Sequence, residues 1–271
     1  MKRIFMLLWS SLMLFPLTAQ ASETLEITFF NVGKADAIVM MLPDYTVVMD
    51  TGKNSAGAVV TRALSEKEVA HIDYMIITHF DKDHVGGADK ILDAIPVDHV
   101  LVPDYQSDSK QYLEFLEAME KQNMQPEVLK ENRSLTLGNM ILDIDVANAS
   151  YYGEDEENDF SLVTSLTYGK IRMLFAGDAE NPRLKELLQE LQGPYDLLKV
   201  PHHGRLEKKS QEFFALVSPD VAVITSSEEE MEEASVVSLL QETGCTVYLT
   251  RQGTVTVTTD GNTMHVEQEG T

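Results

Sequence analysis

One ten-residue stretch constrains the fold of this 271-residue chain more than any other. Residues 78–87 read T-H-F-D-K-D-H-V-G-G. An apolar, β-favouring run at residues 73–77 precedes this stretch, and a helical pattern that ends near Ile95 follows it. The stretch is therefore predicted to be a loop at the end of a strand, which is where α/β folds usually place their chemistry.

The side chains of this loop predict a metal site. Four potential metal ligands fall within six residues: His79, Asp81, Asp83 and His84. Neither a strand nor a helix can turn all four towards one point, whereas a loop can fold them around a cation. Gly86 and Gly87 would let the backbone turn tightly before the helix. A polar surface loop with coincidental histidines is the simpler alternative, but strand, ligands, diglycine and helix agree with a metal site.

The stretch resembles the metal-binding signature of the metallo-β-lactamase superfamily, H-x-H-x-D-H-x-G-G, except that Asp81 stands where that family usually has its second histidine. The H-x-D-x-D-H form is similar to the hydrolase domain of ComEC-like competence proteins, which belong to a DNA-uptake channel. Three further segments fit this group in the same order: residues 31–37 (N-V-G-K-A-D-A), 175–180 (F-A-G-D-A-E) and 200–204 (V-P-H-H-G). The resemblance implies an α/β fold with a four-layer αββα sandwich.

The resemblance also implies a first metal site that is rich in oxygen ligands. His79 and Asp81 would bind the cation, and Asp178, in a Gly-Asp turn after a predicted strand, would bridge to a second cation. The superfamily's third histidine is absent from residues 158–161 (N-D-F-S), so Asn158 is expected in its place. Oxygen ligands favour hard cations such as Mn²⁺ or Mg²⁺, while the histidines keep Zn²⁺ possible.

The implied second site takes Asp83 and His84 from the loop. One of the paired histidines, His202 or His203, would complete it, with His203 favoured; the alternative for this pair is an ordinary solvated turn. Asp83, Asp178 and His203 are the residues expected to be catalytic. Two cations roughly 3.5–4 Å apart would lower the pKa of a bridging water and neutralise charge that develops on a phosphoryl or carbonyl oxygen.

Asp50 is expected to support the metal loop. It lies in the Asp-Thr-Gly that ends a predicted strand, and this tripeptide resembles the supporting motif of the superfamily. The alternative is that Asp50 caps the helix predicted over residues 55–69, and the two roles could coexist.

The charge of the chain bears on its partners. A formal net charge of −23 repels polyanions at long range, so no stable nucleic-acid complex is expected. One basic cluster departs from this balance: Lys199, Arg205, Lys208 and Lys209. With Lys199 and Arg205 contacting substrate, it would form a positive rim that suits an anionic small molecule or a nucleic-acid substrate. The alternative is a helix start with ordinary surface lysines.

Residues 1–21 have the pattern of a secretory signal peptide: two basic residues, an apolar run over residues 4–17, and Ala19-Gln20-Ala21 for cleavage. A membrane anchor is the alternative, although the run is short and interrupted. Residues 22–271 are then predicted to be one secreted domain with no membrane segment. Cys245 is the only cysteine, so no disulfide forms within the chain, and its strand pattern favours a buried apolar role.

These observations predict a secreted metal-dependent hydrolase that contains two divalent cations, Mn²⁺ or Zn²⁺ with Mg²⁺ possible. The resemblance implies that it is a phosphodiesterase or nuclease-like enzyme. Two alternatives stay open: hydrolysis of a lactone, ester or β-lactam, and a metal-stabilised binding protein without turnover.

Overall fold

The computed structural model describes residues 23–153 and 157–270. The predicted signal peptide and part of the acidic segment at residues 151–159 lie outside these ranges. None of the helices in the described ranges combines the length and the apolar character that a membrane crossing requires.

Strands and helices alternate along the described residues. The strands are β1 (Leu25–Phe29), β2 (Ala37–Leu42), β3 (Tyr45–Thr51), β4 (Ile72–Ile76), β5 (Val97–Pro103), β6 (Glu127–Leu129), β7 (Arg133–Leu137), β8 (Met140–Asp145), β9 (Val163–Tyr168), β10 (Ile171–Phe175), β11 (Leu197–Lys199), β12 (Val221–Ile224), β13 (Thr246–Leu249), β14 (Val255–Thr259) and β15 (Met264–Gln268). The α-helices are α1 (Ala56–Glu66), α2 (Ala88–Ala94), α3 (Lys110–Lys121), α4 (Asn181–Glu190), α5 (Ser210–Val217) and α6 (Ala234–Glu242).

The strands form two sheets. The first has the order β15-β14-β1-β2-β3-β4-β5-β6, and the second has the order β13-β12-β11-β10-β9-β8-β7. In the first sheet β3 to β6 run parallel, and in the second β10 to β13 do. Parallel neighbours need a crossover connection, so α1, α2 and α3 link the first group while α4, α5 and α6 link the second.

The buried side chains divide into three cores that define the layers. Between the sheets, Phe29 of β1 and Phe175 of β10 stack with ring centroids 6.0 Å apart. The helices α1 to α3 pack on the outer face of the first sheet, and α4 to α6 pack on the outer face of the second. Strand β2 is apolar on both faces (AIVMML) because another layer covers each face. The predicted four-layer αββα sandwich is confirmed.

Strands β7 and β8 form a hairpin that turns at Gly138 with φ of 58°. Helix α6 begins at Ala234, so residues 228–233, which are mostly glutamates, form a loop before it. Cys245 is buried as expected, and burial raises the pKa of its thiol to about 12, which removes it as a nucleophile at neutral pH.

Both groups of parallel strands end at one edge of the sandwich. The loops after β3, β4, β10, β11 and β12 meet there, and the turn before the antiparallel strand β2 joins them. The carboxyl ends of parallel strands bring loops from distant parts of a chain together. This edge contains the residues that the sequence singled out.

Candidate metal centre

The loop after β4 is fixed by hydrogen bonds to the end of β3. The backbone nitrogen of Thr51 donates to the His84 carbonyl over 2.7 Å, and the Gly87 nitrogen donates to the Gly52 carbonyl over 3.0 Å. A Cβ atom on Gly87 would lie 2.3 Å from the Thr51 carbonyl oxygen, and one on Gly86 would lie 2.2 Å from a carbonyl of its own loop. Neither glycine has a positive φ, so the diglycine is required for close approach.

Four side chains from three loops converge on one point. His84 Nε2 lies 3.3 Å from Asp178 Oδ1 and 3.4 Å from His203 Nε2. His203 Nε2 lies 3.1 Å from Asp178 Oδ2 and 3.6 Å from Asp83 Oδ2. The structure therefore brings together the residues predicted for the second metal site and selects His203 from the paired histidines.

The residues predicted for the first site are assembled less tightly. Donor atoms of His79, His84 and Asp178 lie within 4.8 Å of one another, and His79 Nε2 lies 3.8 Å from Asp81 Oδ2. The Asp81 side chain is 43% exposed. Asn158 lines the same cleft as Asp81; its amide nitrogen donates to Glu180 Oε1 over 3.0 Å, and its buried Oδ1 has no hydrogen-bond partner among the described residues.

Asp50 orients two of the histidines. Its Oδ2 lies 2.8 Å from His84 Nδ1, and because a carboxylate only accepts, His84 carries its proton on Nδ1. Thr78 Oγ1 donates to the same Asp50 oxygen over 2.7 Å, so it accepts from His79 Nδ1 over 3.1 Å. The N-cap of α1 is Ser55. Asp50 therefore supports the metal loop, and the cap position belongs to another residue.

A second buried pair orients His203. Thr225 Oγ1 donates to Asp36 Oδ1 over 2.5 Å and thus accepts from His203 Nδ1 over 2.9 Å. Asp36 and Thr225 received no role from the sequence. The sequence does contain a signal for Asp36: it directly precedes a strand that is apolar on both faces, and a carboxylate at such a position needs a polar partner. Thr225 gave none, because a threonine at the end of a strand has many uses.

The positions of the histidine protons make this cluster suitable for binding divalent cations. All three histidines direct Nδ1 to a buried acceptor, so each presents Nε2 to the carboxylates, where it can bind a cation once it is deprotonated. His79 Nε2 is buried and has no hydrogen-bond partner among the described residues. Burial of an unpaired polar atom is costly unless the atom binds a ligand. Neutral imidazole and carboxylate donors of this kind suit Zn²⁺ or Mn²⁺.

Neighbouring charges in the cluster oppose the effect of burial on the pKa values of Asp178 and His84. Burial raises the pKa of Asp178, but His203, His84 and Lys199 together lower it by more than burial raises it. The pKa of Asp178 therefore lies well below its usual range. Burial lowers the pKa of His84, but Asp178 and Asp50 raise it above its usual value. Burial, with help from His84, lowers the pKa of His79 to about 3. His79 is therefore neutral, as a metal ligand must be.

Backbone strain is concentrated at the same edge. His202 (φ 47°), His203 (φ 51°) and Asp50 (φ 53°) occupy the left-handed region, which residues other than glycine rarely adopt. Each such residue costs about 1–3 kcal/mol and persists only where the surrounding structure fixes it. The turn that presents His203 is therefore held in place by its neighbours.

Lys199 does not lie on the surface, which corrects the prediction that it contacts substrate on a positive rim. Its side chain is fully buried and forms an ion pair with Asp36. Its Nζ donates to the Gly177 carbonyl over 3.0 Å and lies 3.5 Å from Asp178 Oδ1. Lys199 instead offsets negative charge beneath the cluster.

The remaining basic residues of the expected rim carry less unpaired positive charge than the composition indicated. Arg205 is exposed, with its Nε 3.9 Å from Glu207, and Lys209 forms an ion pair with Glu212 over 2.7 Å. Lys208 is exposed.

His202 turns away from the cluster. Its Nδ1 lies 3.1 Å from Glu180 Oε1, and donor atoms of Glu180, His202 and Glu207 lie within 4.8 Å of one another. The structure therefore separates the two predicted histidines, which the sequence could not do because their spacing fits either choice.

Two clefts open beside the exposed turn at Asp81, Lys82 and Asp83. The smaller, about 380 Å³, is lined by Phe80, Ser107, Asp108, Glu157 and Asn158, among others. The larger, about 710 Å³, is lined by Lys34, Lys53, Gln111 and Glu230, among others. Both clefts reach the carboxylates of the metal loop, so substrate can approach from the solvent.

Comparison with known proteins supplies a family match. The family model described as "Metallo-beta-lactamase superfamily" matches residues 31–226. Recombination protein 2 of Haemophilus influenzae is 25% identical over 213 residues, which cover 76% of this chain and 25% of that protein. ComE operon protein 3 of Bacillus subtilis is 25% identical over 253 residues, which cover 85% of this chain and 32% of that protein. This chain thus spans only a quarter to a third of these relatives.

A solved structure supports the fold. The metallo-β-lactamase fold protein YhfI from Bacillus subtilis has a TM-score of 0.54 and 11% identity, over 84% of this chain and 96% of YhfI. At this identity the likeness concerns the fold alone.

Proposed function

Because the chain belongs to the metallo-β-lactamase superfamily, whose members are generally metal-dependent hydrolases, we propose that it is a secreted phosphodiesterase that uses two divalent cations. The resemblance predicted from the sequence, to this superfamily and to ComEC-like proteins, is confirmed. The cations, the substrate and secretion are the proposed steps beyond it.

The observation that supports two cations is the set of three Nε2 atoms and three carboxylates at one buried edge. Asp178 contacts His84 and His203, and its donor atom lies within 4.8 Å of that of His79, so it can serve both sites. When bound, divalent cations supply Lewis acidity and lower the pKa of a bound water. The chain itself orients the ligands through Asp50 and Thr225, and Lys199 limits the excess of negative charge.

The metal preference follows from the ligand types. The second site, with two imidazoles and two carboxylates, suits Zn²⁺ or Mn²⁺. The first site has one imidazole, His79, with carboxylates around it, and this set favours Mn²⁺, with Mg²⁺ possible.

The substrate class is inferred from two supports. The named relatives are a recombination protein and a product of the ComE operon, and a role with DNA is consistent with the first name. The larger cleft also presents lysines beside the metal loop, which suits an anionic substrate. The predicted signal peptide supports a location outside the cytoplasm.

A substrate screen tests this proposal. The metal-stripped protein is reconstituted with Mn²⁺ or Zn²⁺ and assayed with bis(p-nitrophenyl) phosphate, a lactone and a chromogenic β-lactam. We expect hydrolysis of the phosphodiester that requires metal and is lost in Asp178→Asn. The matched control is Asp143→Asn, at an exposed position of β8.

The other outcomes separate the alternatives. Cleavage of the lactone or β-lactam without cleavage of the phosphodiester would show that the substrate class is wrong. Binding of two cations without turnover of any substrate would favour a metal-stabilised binding protein.

A further inference from the structure

The larger cleft beside the metal centre is unusually rich in lysine for a protein this acidic. In a chain of net charge −23, it presents three lysines, Lys34, Lys53 and Lys82, around the turn that bears Asp81 and Asp83. Lys82 is exposed, and Lys34 and Lys53 are partly exposed. Lys34 and Lys82 form no ion pair with any residue that the structure describes.

A second cleft on the same domain shows that this is not a general property of its surface. That cleft, about 450 Å³, is lined by Arg62 and Lys67, among others. Arg62 pairs with Glu66 over 2.8 Å, and Lys67 pairs with Glu26 over 2.6 Å. Its cations are therefore neutralised, whereas two of the three beside the metal loop are not.

Glu230 is the acid that faces the cleft lysines. Its Oε2 lies 3.1 Å from Lys53 Nζ, and this side chain is 54% exposed. The hydrogen bond and charge of Lys53 lower the pKa of Glu230, Lys34 lowers it further, and Asp83 opposes them. The loop that carries Glu230 is thus within electrostatic reach of both the lysines and the metal loop.

Small diesters do not need these lysines. A single phosphodiester held by two cations has its charge satisfied at the metal centre itself. Lysines outside the ligand set gain energy from further negative charges of the substrate, such as the phosphates on neighbouring links of a strand. The placement of Lys34 and Lys53 outside the ligand set therefore indicates a substrate with several phosphates.

We propose that this cleft binds the non-scissile phosphates of a nucleic-acid strand through Lys34, Lys53 and Lys82, and that Glu230 competes with those phosphates for Lys53. The inference rests on the proposed phosphodiesterase function and names its substrate as a strand of linked phosphodiesters. It agrees with the acidic net charge, because a local cleft can bind a strand weakly without holding it in a stable complex.

The test compares two substrates in three variants. An oligothymidylate and bis(p-nitrophenyl) phosphate are assayed with wild type, Lys34→Gln/Lys53→Gln, Glu230→Gln and the control Lys67→Gln. In the double variant, kcat/KM for the oligonucleotide should fall about tenfold relative to the small diester. The slope of log kcat/KM for the oligonucleotide against log salt concentration should also become shallower by about one to two. Each lost phosphate contact reduces that slope by close to one.

Glu230→Gln should change the ratio of the two kcat/KM values in the opposite direction, because it frees Lys53. Lys67→Gln should leave the ratio unchanged, since Lys67 lines the other cleft, which no residue of the metal loop lines. Equal effects of the double variant and Lys67→Gln, or no effect of either, would overturn the proposal.

Binding separates this inference from the proposed function. Anisotropy of a fluorescent oligothymidylate at low salt, with metal present, gives the same comparison without turnover. If the protein hydrolyses the small diester but wild type and the double variant bind the oligonucleotide equally, the strand-binding role of the cleft is rejected. The proposed phosphodiesterase function would then still stand. Weaker binding by the double variant without hydrolysis of either substrate would support the cleft and reject the phosphodiesterase.

Discussion

The two candidate metal sites differ in how firmly the protein holds the residues proposed as ligands. At the second site His84, Asp178 and His203 are at most 3% exposed, and both histidines donate from Nδ1 to buried acceptors. At the first site His79 is equally buried, but Asp81 is 43% exposed. Asn158, expected as the third ligand there, donates its amide nitrogen to Glu180, and its Oδ1 stays without a hydrogen-bond partner among the described residues.

This difference teaches that the number of candidate ligands is a poor guide to the strength of a site. Ligands fixed by buried partners lose little freedom when they bind a cation, whereas an exposed carboxylate must first be ordered. We therefore expect the second site to bind its cation more tightly, and the first site to exchange its cation with the solvent.

The largest expected effect is at Asp178, the residue proposed to serve both sites. Asp178→Ala should remove at least one cation and lower kcat/KM by about a hundred- to a thousandfold, the scale on which loss of one preorganised group acts. Metal content by mass spectrometry and phosphodiester turnover measure this, and Asp178→Asn controls for the lost volume. A variant that keeps both cations and its turnover would contradict the two-site assignment.

The next largest effect separates the paired histidines. His203→Asn should lose the second-site cation, whereas His202→Asn should retain both cations, because His202 faces Glu180 instead. Both residues have a left-handed backbone, which asparagine tolerates, so the two variants are matched in strain. Equal loss of metal from both variants would mean that the pair acts together.

A smaller effect is expected from the support beneath the ligands. Asp50→Asn should weaken metal binding by roughly 10–100-fold, because His84 and Thr78 lose a shared carboxylate acceptor. Ser55→Ala, at the N-cap of α1, is the control and should change neither metal binding nor stability. If Asp50→Asn lowers the melting temperature but not the metal affinity, Asp50 stabilises the fold of the loop rather than the metal site.

The smallest effect is a change in metal preference at the exposed ligand. Asp81→His replaces a hard oxygen by a nitrogen, so it should move the activity optimum from Mn²⁺ towards Zn²⁺ without unfolding the protein. The measurement is kcat/KM for wild type and variant after reconstitution with each cation. A wild type that is most active with Zn²⁺, with no shift in the variant, would show that Asp81 does not set the preference.

The metal loop could be predicted because its signals are local. The resemblance implied the four-layer order of the fold, and the apolar strand patterns with intervening helices agreed with it. The ligand run from His79 to His84, with its diglycine, located the site. Asp178 and His203 became visible through the resemblance, since each follows a strand in a recognisable turn.

The supporting network could not be predicted, because its partners are distant in sequence. Asp36 and Thr225 are 189 residues apart and meet only when the two sheets pack. The burial of Lys199 also depends on that packing: as a sequence feature it is one of four basic residues, and in the fold it pairs with Asp36. The choice between His202 and His203 depends on backbone angles that neighbouring loops impose.

Titration of the metal-stripped protein with Zn²⁺ or Mn²⁺ tests the difference between the two sites most directly. Calorimetry of wild type should show two binding steps, with the tighter one at least about tenfold stronger, since loss of preorganisation weakens metal sites by 10–100-fold. His203→Asn should abolish the tighter step and Asp81→Ala should weaken the looser one. Two equal steps in wild type, or loss of the looser step in His203→Asn, would contradict a firmly held second site and an open first site.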